Sequence, residues 1–283
     1  MRFILSMVIA LVGLPLFGQQ VNPYQLFSNK GKAVKYKKLV RAAAEADVVF
    51  FGELHNDPIA HWLQLELFKS LAENSKLVLG AEMMEADNQP ELDAFMSGEV
   101  DYTGLDTTAR LWNNFKTDYL PVFEFAREQG FRGIATNIPR PYASLVYREG
   151  FEALEKLPAE EQAWIAPLPV AYDPELPGYK AMLEMMGGHG GENFPKAQAI
   201  KDATMAHFIS ENLEAESIFY HLNGSYHSDN FEGIIWYLKR LNPDLRILTI
   251  TTILAEDAES LPQDEKSKAD FILVVDEDMT RTY

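Results

Sequence analysis

The chain carries six histidines and forty-two aspartates and glutamates against twenty-five lysines and arginines. The run Phe50-Phe51-Gly52-Glu53-Leu54-His55-Asn56-Asp57-Pro58 places a glutamate and a histidine on a turn where glycine, asparagine and proline would suffice. Glu and His are metal ligands and proton carriers, although in a turn they also cap helices or simply face water. Glu82 follows a second apolar run, and Asn223, Tyr226 and His227 follow a later one. Two histidines and a carboxylate can hold a divalent metal with positions left for water, which makes His55, Glu82 and His227 a candidate metal set. With Glu53 added, the same residues form the candidate catalytic set of a metal-dependent hydrolase whose nucleophile is metal-bound water.

These residues matter only if the fold brings them together. Asp47 to Phe51 is continuously apolar after its first residue, the mark of a strand buried on both faces. Asp57-Pro58 then signals a helix start, because Asp accepts from free amides and Pro suits the first turn. A helix over 58–72 carries Ile59, Trp62, Leu63, Leu67, Phe68 and Leu71 at core-facing spacing. The cycle repeats with a strand over 76–82, helices over 89–96 and 119–129, and a strand over 131–136 that ends in Asn137-Ile138-Pro139-Arg140. It resumes with a strand at 217–222, a helix over 229–241 whose start Asp229 and Glu232 cap, and strands at 246–254 and 271–275. Strands alternating with helices predict an α/β fold with a mainly parallel sheet flanked by helices. From about 141 to 213 no strand is evident, so a small all-helical subdomain is expected there. Asn22 to Lys38 is polar and basic and reads as a surface entry to a first helix. Ligands of open parallel sheets bind beyond the strands' carboxyl ends, where Glu53, His55, Glu82, Asn137, Arg140, Asn223, Tyr226 and His227 all fall.

Met1-Arg2 followed by the apolar run Phe3 to Phe17 and then Gly18 has the form of a signal peptide over 1–18. The expected product is exported, periplasmic or secreted, and begins near Gln19. The sequence contains no cysteine, so neither a disulfide nor a cysteine-linked lipid anchor is expected. Loss of Arg2, the one charged residue of that segment, would take the net charge from −17 to −18. Such a surface repels phosphate backbones and excludes nucleic acid as the expected partner. Screening over about 8 Å at physiological salt leaves room for local basic pockets. G-x-S-x-G, G-x-x-x-x-G-K-[ST], H-E-x-x-H and a strand-terminal G-x-G-x-x-G are all absent from the sequence.

A second cluster lies at 172–194. His189 stands between glycine pairs, beside Met182, Met185, Met186, Tyr172, Tyr179 and Phe194. An apolar, aromatic, methionine-rich patch with an exposed His or Tyr suits a flat iron cofactor, for which either residue is an ordinary axial ligand. The alternative is that it is subdomain core with a flexible loop. His61 flanks the core, His207 belongs to core or surface, and His221 on its strand is structural.

Five ordered stretches, FFGELHNDPIAHWLQLELFKSL, LVLGAEMMEADNQPELDAFMSGEV, YLPVFEFAREQGFRGIATNIPR, AQAIKDATMAHFI and LNGSYHSDNFEGIIWYLKR, resemble the ChaN-like haem-binding family. That family belongs to a wider group with the Tiki and TraB proteins and the erythromycin esterases. The resemblance implies an α/β sheet with a helical subdomain, haem as cofactor, a role in haem or iron acquisition through an outer-membrane receptor, and haem shared across a homodimer. It places the group's G-x-x-H signature on Gly52 to His55, its acidic partner on Glu82 and its later histidine on His227. It implies Tyr179 or His189 as haem ligand, and with the 172–194 cluster it leads to the expectation of Arg140 or Lys180 near the propionates. The lipid-anchoring cysteine of such proteins is missing here. A metal-dependent hydrolase using the Glu/His set is the competing expectation.

Overall fold

Residues at alternate positions of each central strand enter different cores. In a computed structural model that describes residues 22–185 and 191–283, eight strands form one sheet. They are β1 (Tyr24–Ser28), β2 (Ala33–Val34), β3 (Val48–Glu53), β4 (Lys76–Glu85), β5 (Arg132–Asn137), β6 (Ser217–Gly224), β7 (Ile247–Ala255) and β8 (Phe271–Asp276). The helices are α1 (Tyr36–Ala43), α2 (Pro58–Ala72), α3 (Gln89–Met96), α4 (Tyr102–Thr108), α5 (Leu120–Glu128), α6 (Arg140–Glu149), α7 (Ala159–Gln162), α8 (Pro177–Met185), α9 (Asn193–Glu211) and α10 (Ile234–Leu241). Val49 and Phe51 of β3 pack with Leu63 and Phe68 of α2 and Phe123 of α5. Val48 and Phe50 pack on the opposite face with Ile200 and Ala206 of α9 and Ile234 of α10. Two apolar faces account for the continuous hydrophobic runs, and burying them is the main stabilising term.

The strand order is β2-β1-β8-β7-β3-β6-β4-β5. The six strands from β8 to β5 are parallel, while β1 runs antiparallel to β8 and β2 antiparallel to β1. This is the expected helix-flanked, mainly parallel α/β sheet. Its carboxyl edge is aligned at the centre, where Glu53 pairs in register with Gly224. Beside it β4 bulges: Ala81 pairs with Ala135 but Glu85 with Asn137, so the strand holding Glu82 runs two residues long against β5. Such irregularities re-aim side chains next to sites.

Three local expectations need correction. The polar segment before α1 is not a plain entry: Leu26 and Phe27 are buried and β1–β2 close the sheet's edge. Trp62 is 46 % exposed and lies edge-on to Tyr24 instead of entering the core. The helix expected at 229 starts at Ile234, and its N-cap is Gly233 at φ +56, with no side-chain cap bond. Asp229 instead accepts from Thr251 Oγ1 at 2.5 Å and Glu232 from Gly178 N at 2.7 Å, so neither caps α10. Among the described residues of 141–213 no strand occurs, only helices joined by turns and irregular backbone. Within that stretch α6 and α9 cover one sheet face, while Tyr179 and Met182 of α8 pack with Ala199 in a small cluster of their own.

Candidate functional site at the carboxyl edge of the sheet

Glu53 ends β3 and is wholly enclosed. Its Oε1 lies 3.0 Å from His55 Nδ1 and accepts from the Tyr119 hydroxyl, while its Oε2 accepts from Gln64 Nε2 at 2.6 Å and lies 3.4 Å from His61 Nδ1. Burial pushes the carboxyl's pKa up, but the hydrogen bonds and charges of His55 and His61 outweigh it and hold it below the ordinary value. His61 continues the chain, its Nε2 standing 3.5 Å from Asp118 Oδ2. Burial disfavours its charge, yet Glu53 and Asp118 raise it to about 9. Tyr119 is driven far above its ordinary pKa by burial and the Glu53 charge, so it stays a donor. The turn holding His55 is fixed by Asp57, which accepts from Ala60 N at 2.9 Å as the α2 cap and from Arg281 Nη1 at 2.6 Å.

A second network adjoins it. His227 Nε2 lies 3.2 Å from Glu82 Oε1 and its Nδ1 lies 2.5 Å from Asp202 Oδ1. Burial works against an imidazolium here, but the two carboxylates overcome it and raise His227 to about 10. Glu82, whose Oε2 also accepts from Gly224 N at 2.7 Å, is held far below the carboxylate range by His227 and His55 despite its burial. Burial leaves Asp202 above its ordinary value, with the Tyr179 hydroxyl donating to it at 3.0 Å. Gly224 joins the two networks. A Cβ there would stand 2.7 Å from His55 Cε1, 2.9 Å from His55 Nε2 and 3.5 Å from Glu82 Oε2, so only a glycine lets them meet.

A cleft of about 670 Å3 opens on this edge, lined by His55, Glu82, Trp112, Asn137, Arg140 and Lys201 among others. The Trp112 ring meets His55 edge-on with centroids 4.8 Å apart. Asn137 donates to the Glu82 carbonyl at 2.9 Å across the bulge, and its buried Oδ1 has no partner. Ion pairs among the described residues engage Arg110, Arg246 and Arg281 but neither Arg140 nor Lys201. The cleft thus combines apolar walls, an imidazole, the carboxylates of Glu82 and Glu85 with Arg110 paired to the latter, and two cations that have no carboxylate partner among the described residues.

The carboxyl edge brings Glu53, His55, Glu82 and His227 together, but only His55 and Glu82 line the cleft; Glu53 and His227 are buried behind them, and Glu82 lies three residues before the end of β4. The metal set does not present itself as one: both His227 nitrogens face carboxylates. Among the described residues no group of three or more His, Cys, Asp or Glu is arranged to hold a metal ion. The residues assigned to haem divide. Arg140 lines the cleft. Tyr179 is buried against Asp202, and Lys180 pairs with Glu175 at 2.5 Å on the surface of α8. His189 lies outside the described residues, as does the 1–18 segment. Asn223 ties its turn by donating to Ser228 Oγ at 3.0 Å, and the exposed Tyr226 donates to the Gly178 carbonyl at 2.7 Å. His221 is buried between Thr136 and Asn223 and lowered by burial to about 4, and half-buried His207 packs on Phe208.

Sequence reasoning missed Gln64, Trp112, Asp118, Tyr119, Lys201 and Asp202, and also Gln198, whose side-chain amide lies 3.0 Å from His227 Nδ1. Two carried a readable signal: a polar residue on an apolar stripe. Asp202 shares a helical face with Ala199, Ala206 and Ile209, and Gln64 with Phe68 and Leu71, all buried.

A family model described as haem-binding uptake, Tiki superfamily, ChaN matches residues 39–238. No curated protein matches the sequence. Among solved structures, ChaN of Campylobacter jejuni, described for cofacial haem binding, is similar with a TM-score of 0.67 at 16% identity, over 89% of this chain and 96% of that one. A Bacillus cereus protein gives 0.50 at 12% identity, over 85% of this chain and 90% of that one. At such identities the likeness is one of fold.

Proposed function

The chain belongs to the haem-binding uptake family of the Tiki superfamily to which ChaN gives its name, and from that premise we propose that it binds haem outside the cytoplasm in haem or iron acquisition. The observation that carries this is the cleft at the strands' carboxyl edge. A haem is a flat apolar ring with two carboxylates and an iron that takes His or Tyr. Leu111, Trp112, Ile138 and Pro141 offer it apolar walls, and Arg140 and Lys201 offer its propionates cations. A chain of net charge −17 repels an anion at long range, so these local cations and burial must supply the affinity. At about 25 cal/mol per Å2, burial of on the order of a few hundred Å2 contributes several kcal/mol before association costs. When bound, haem supplies the iron that is the cargo, and the protein's part is to hold it and exclude water.

On this reading the partners are haem, an outer-membrane haem or iron receptor and a second copy of the chain. The Met1–Gly18 segment acts as the export signal. Fractionating expressing cells tests it: the protein should appear outside the cytoplasm, begin near Gln19 by mass, and carry haem. An intact Met1 on a cytoplasmic, haem-free protein would refute it.

One observation favours a hydrolase instead. His55, backed at Nδ1 by Glu53 and lining the cleft with no hydrogen-bond partner at Nε2 among the described residues, is laid out as a general base. Turnover of an ester or peptide lost in His55→Ala would establish that reading.

A further inference from the structure

Beside the cleft, a short strap of backbone ties two walls of the site to each other. Met279, three residues past β8, packs against the main core, and no helix or strand follows β8 among the described residues. The next residues cross to the turn after β3. Thr282 N donates to the Asn56 carbonyl at 3.0 Å, Asn56 Nδ2 donates to the Tyr283 carbonyl at 3.3 Å, and Arg281 Nη1 donates to Asp57 Oδ2 at 2.6 Å. Thr282 Oγ1 also donates to Asp118 Oδ1 at 3.2 Å. Asp118 lies in a single π-helical turn, Phe115–Tyr119, that directly follows the wall residues Leu111 to Asn114. From that wall Trp112 meets the His55 ring, and Asn114 Nδ2 donates to the His55 carbonyl at 2.9 Å and to Asp118 Oδ2 at 2.7 Å. Arg281, Thr282 and Tyr283 thus fasten the His55 turn and the Trp112 wall together.

We propose that Arg281–Tyr283 form a releasable clasp on the cleft. Seated, it fixes the His55 turn against the Trp112 wall; lifted, it lets that wall swing out so that ligand enters and leaves. Three observations distinguish a clasp from a fixed part of the core. It holds by the polar bonds above, and Tyr283 is 70 % exposed, so lifting it uncovers little apolar surface and needs less than global unfolding. A hollow of about 620 Å3, lined by Thr282 and Tyr283 together with Trp112 and Arg140, adjoins the cleft through the last two. With the clasp lifted, that hollow loses one of its banks and the wall has room to move. The π turn supplies the joint: such turns are rare single-turn insertions found at functional sites, and this one connects the wall to α5. The clasp rests on these contacts; the haem reading supplies only the ligand that times its opening.

The experiment compares wild type with the double variant Arg281→Gln, Thr282→Pro, which removes the bonds to Asp57, to the Asn56 carbonyl and to Asp118. Hydrogen exchange followed by mass spectrometry reads the two walls. Amides of 54–57 and 111–118 should exchange at least about tenfold faster in the variant, as loss of one charge-assisted hydrogen bond already predicts, while those of β4 and β6 keep their wild-type rates. Transfer of hemin from the loaded protein to excess apomyoglobin should speed up by a similar factor, with the bound spectrum unchanged. Should the double variant fail to fold, Arg281→Gln alone is read in the same way. Exchange in 111–118 that stays at the wild-type rate, or that rises equally in β4 and β6, would overturn the clasp. Hemin that leaves a loosened wall no faster than wild type would overturn its gating of the cleft. If wild type binds no hemin, the haem reading falls, and exchange of the two walls still decides the clasp.

Discussion

Raising the pH from about 6.5 to about 8.5 should destabilise the fold steeply, and the buried histidines set the slope. His227 sits between Glu82 and Asp202, and His61 between Glu53 and Asp118. Burial opposes their charge, but the carboxylates prevail and raise them to about 10 and about 9 from an ordinary 6.5. A group whose folded pKa is raised contributes stability that is complete below its unfolded pKa and lost as pH climbs through the folded one. From about pH 7 to about 9 the folded chain therefore holds two protons that the unfolded chain has released. Each such proton is worth about 1.4 kcal/mol per pH unit, so the pair sets a slope of roughly 2–3 kcal/mol per unit. His55, raised by Glu53 and Glu82 against its burial, adds in the same direction. His221, lowered to about 4, opposes only below its unfolded value of 6.5. Two pH units thus remove about 5 kcal/mol, a large share of an ordinary domain's about 5–15 kcal/mol. Urea unfolding followed by tryptophan fluorescence and circular dichroism at three pH values measures it, with coincident transitions as the two-state check. A midpoint that stays level or rises across this range would refute the assignment of buried imidazolium ions.

Gly224→Ala should cost about 1–3 kcal/mol of stability by overpacking, since the backbone there (φ −58) tolerates alanine and the new Cβ meets His55 instead. The same variant should weaken hemin binding, which a titration would show. Asp57→Ala removes the α2 cap and the Arg281 partner, so thermal unfolding should fall by the equivalent of about 1–2 kcal/mol, and an unchanged transition would contradict the capping role. Arg140→Gln should lower hemin affinity about three- to tenfold, as the loss of about one charge-assisted contact does, and should flatten its salt dependence without altering the bound spectrum.

The site was legible where a local rule carried it. Apolar runs ending in Glu53, Glu82 and the Asn223–His227 stretch marked strand ends, and a parallel sheet places successive strand ends on one edge. Asp57-Pro58 named the cap of α2 without any tertiary knowledge. The partners that set the site's electrostatics were harder to read because they arrive from elements distant in sequence. Asp202 reaches His227 from α9, and Tyr119 reaches Glu53 across 66 residues. The edge strand β1 was hidden because only Leu26 and Phe27 among its five residues are buried, too little alternation to stand out from a polar entry. Asp229 and Glu232 matched a capping pattern, yet the positive-φ residues Asn230, Phe231 and Gly233 turn the chain before α10 and send both carboxylates elsewhere.

Titrating hemin into the wild-type protein, purified without haem, decides whether the cleft is a haem site. A saturable Soret change with a fixed number of haems per chain is expected, with a gel-filtration profile that carries haem and protein together. A linear, non-saturating response like that of hemin sticking to an unrelated acidic protein would contradict it.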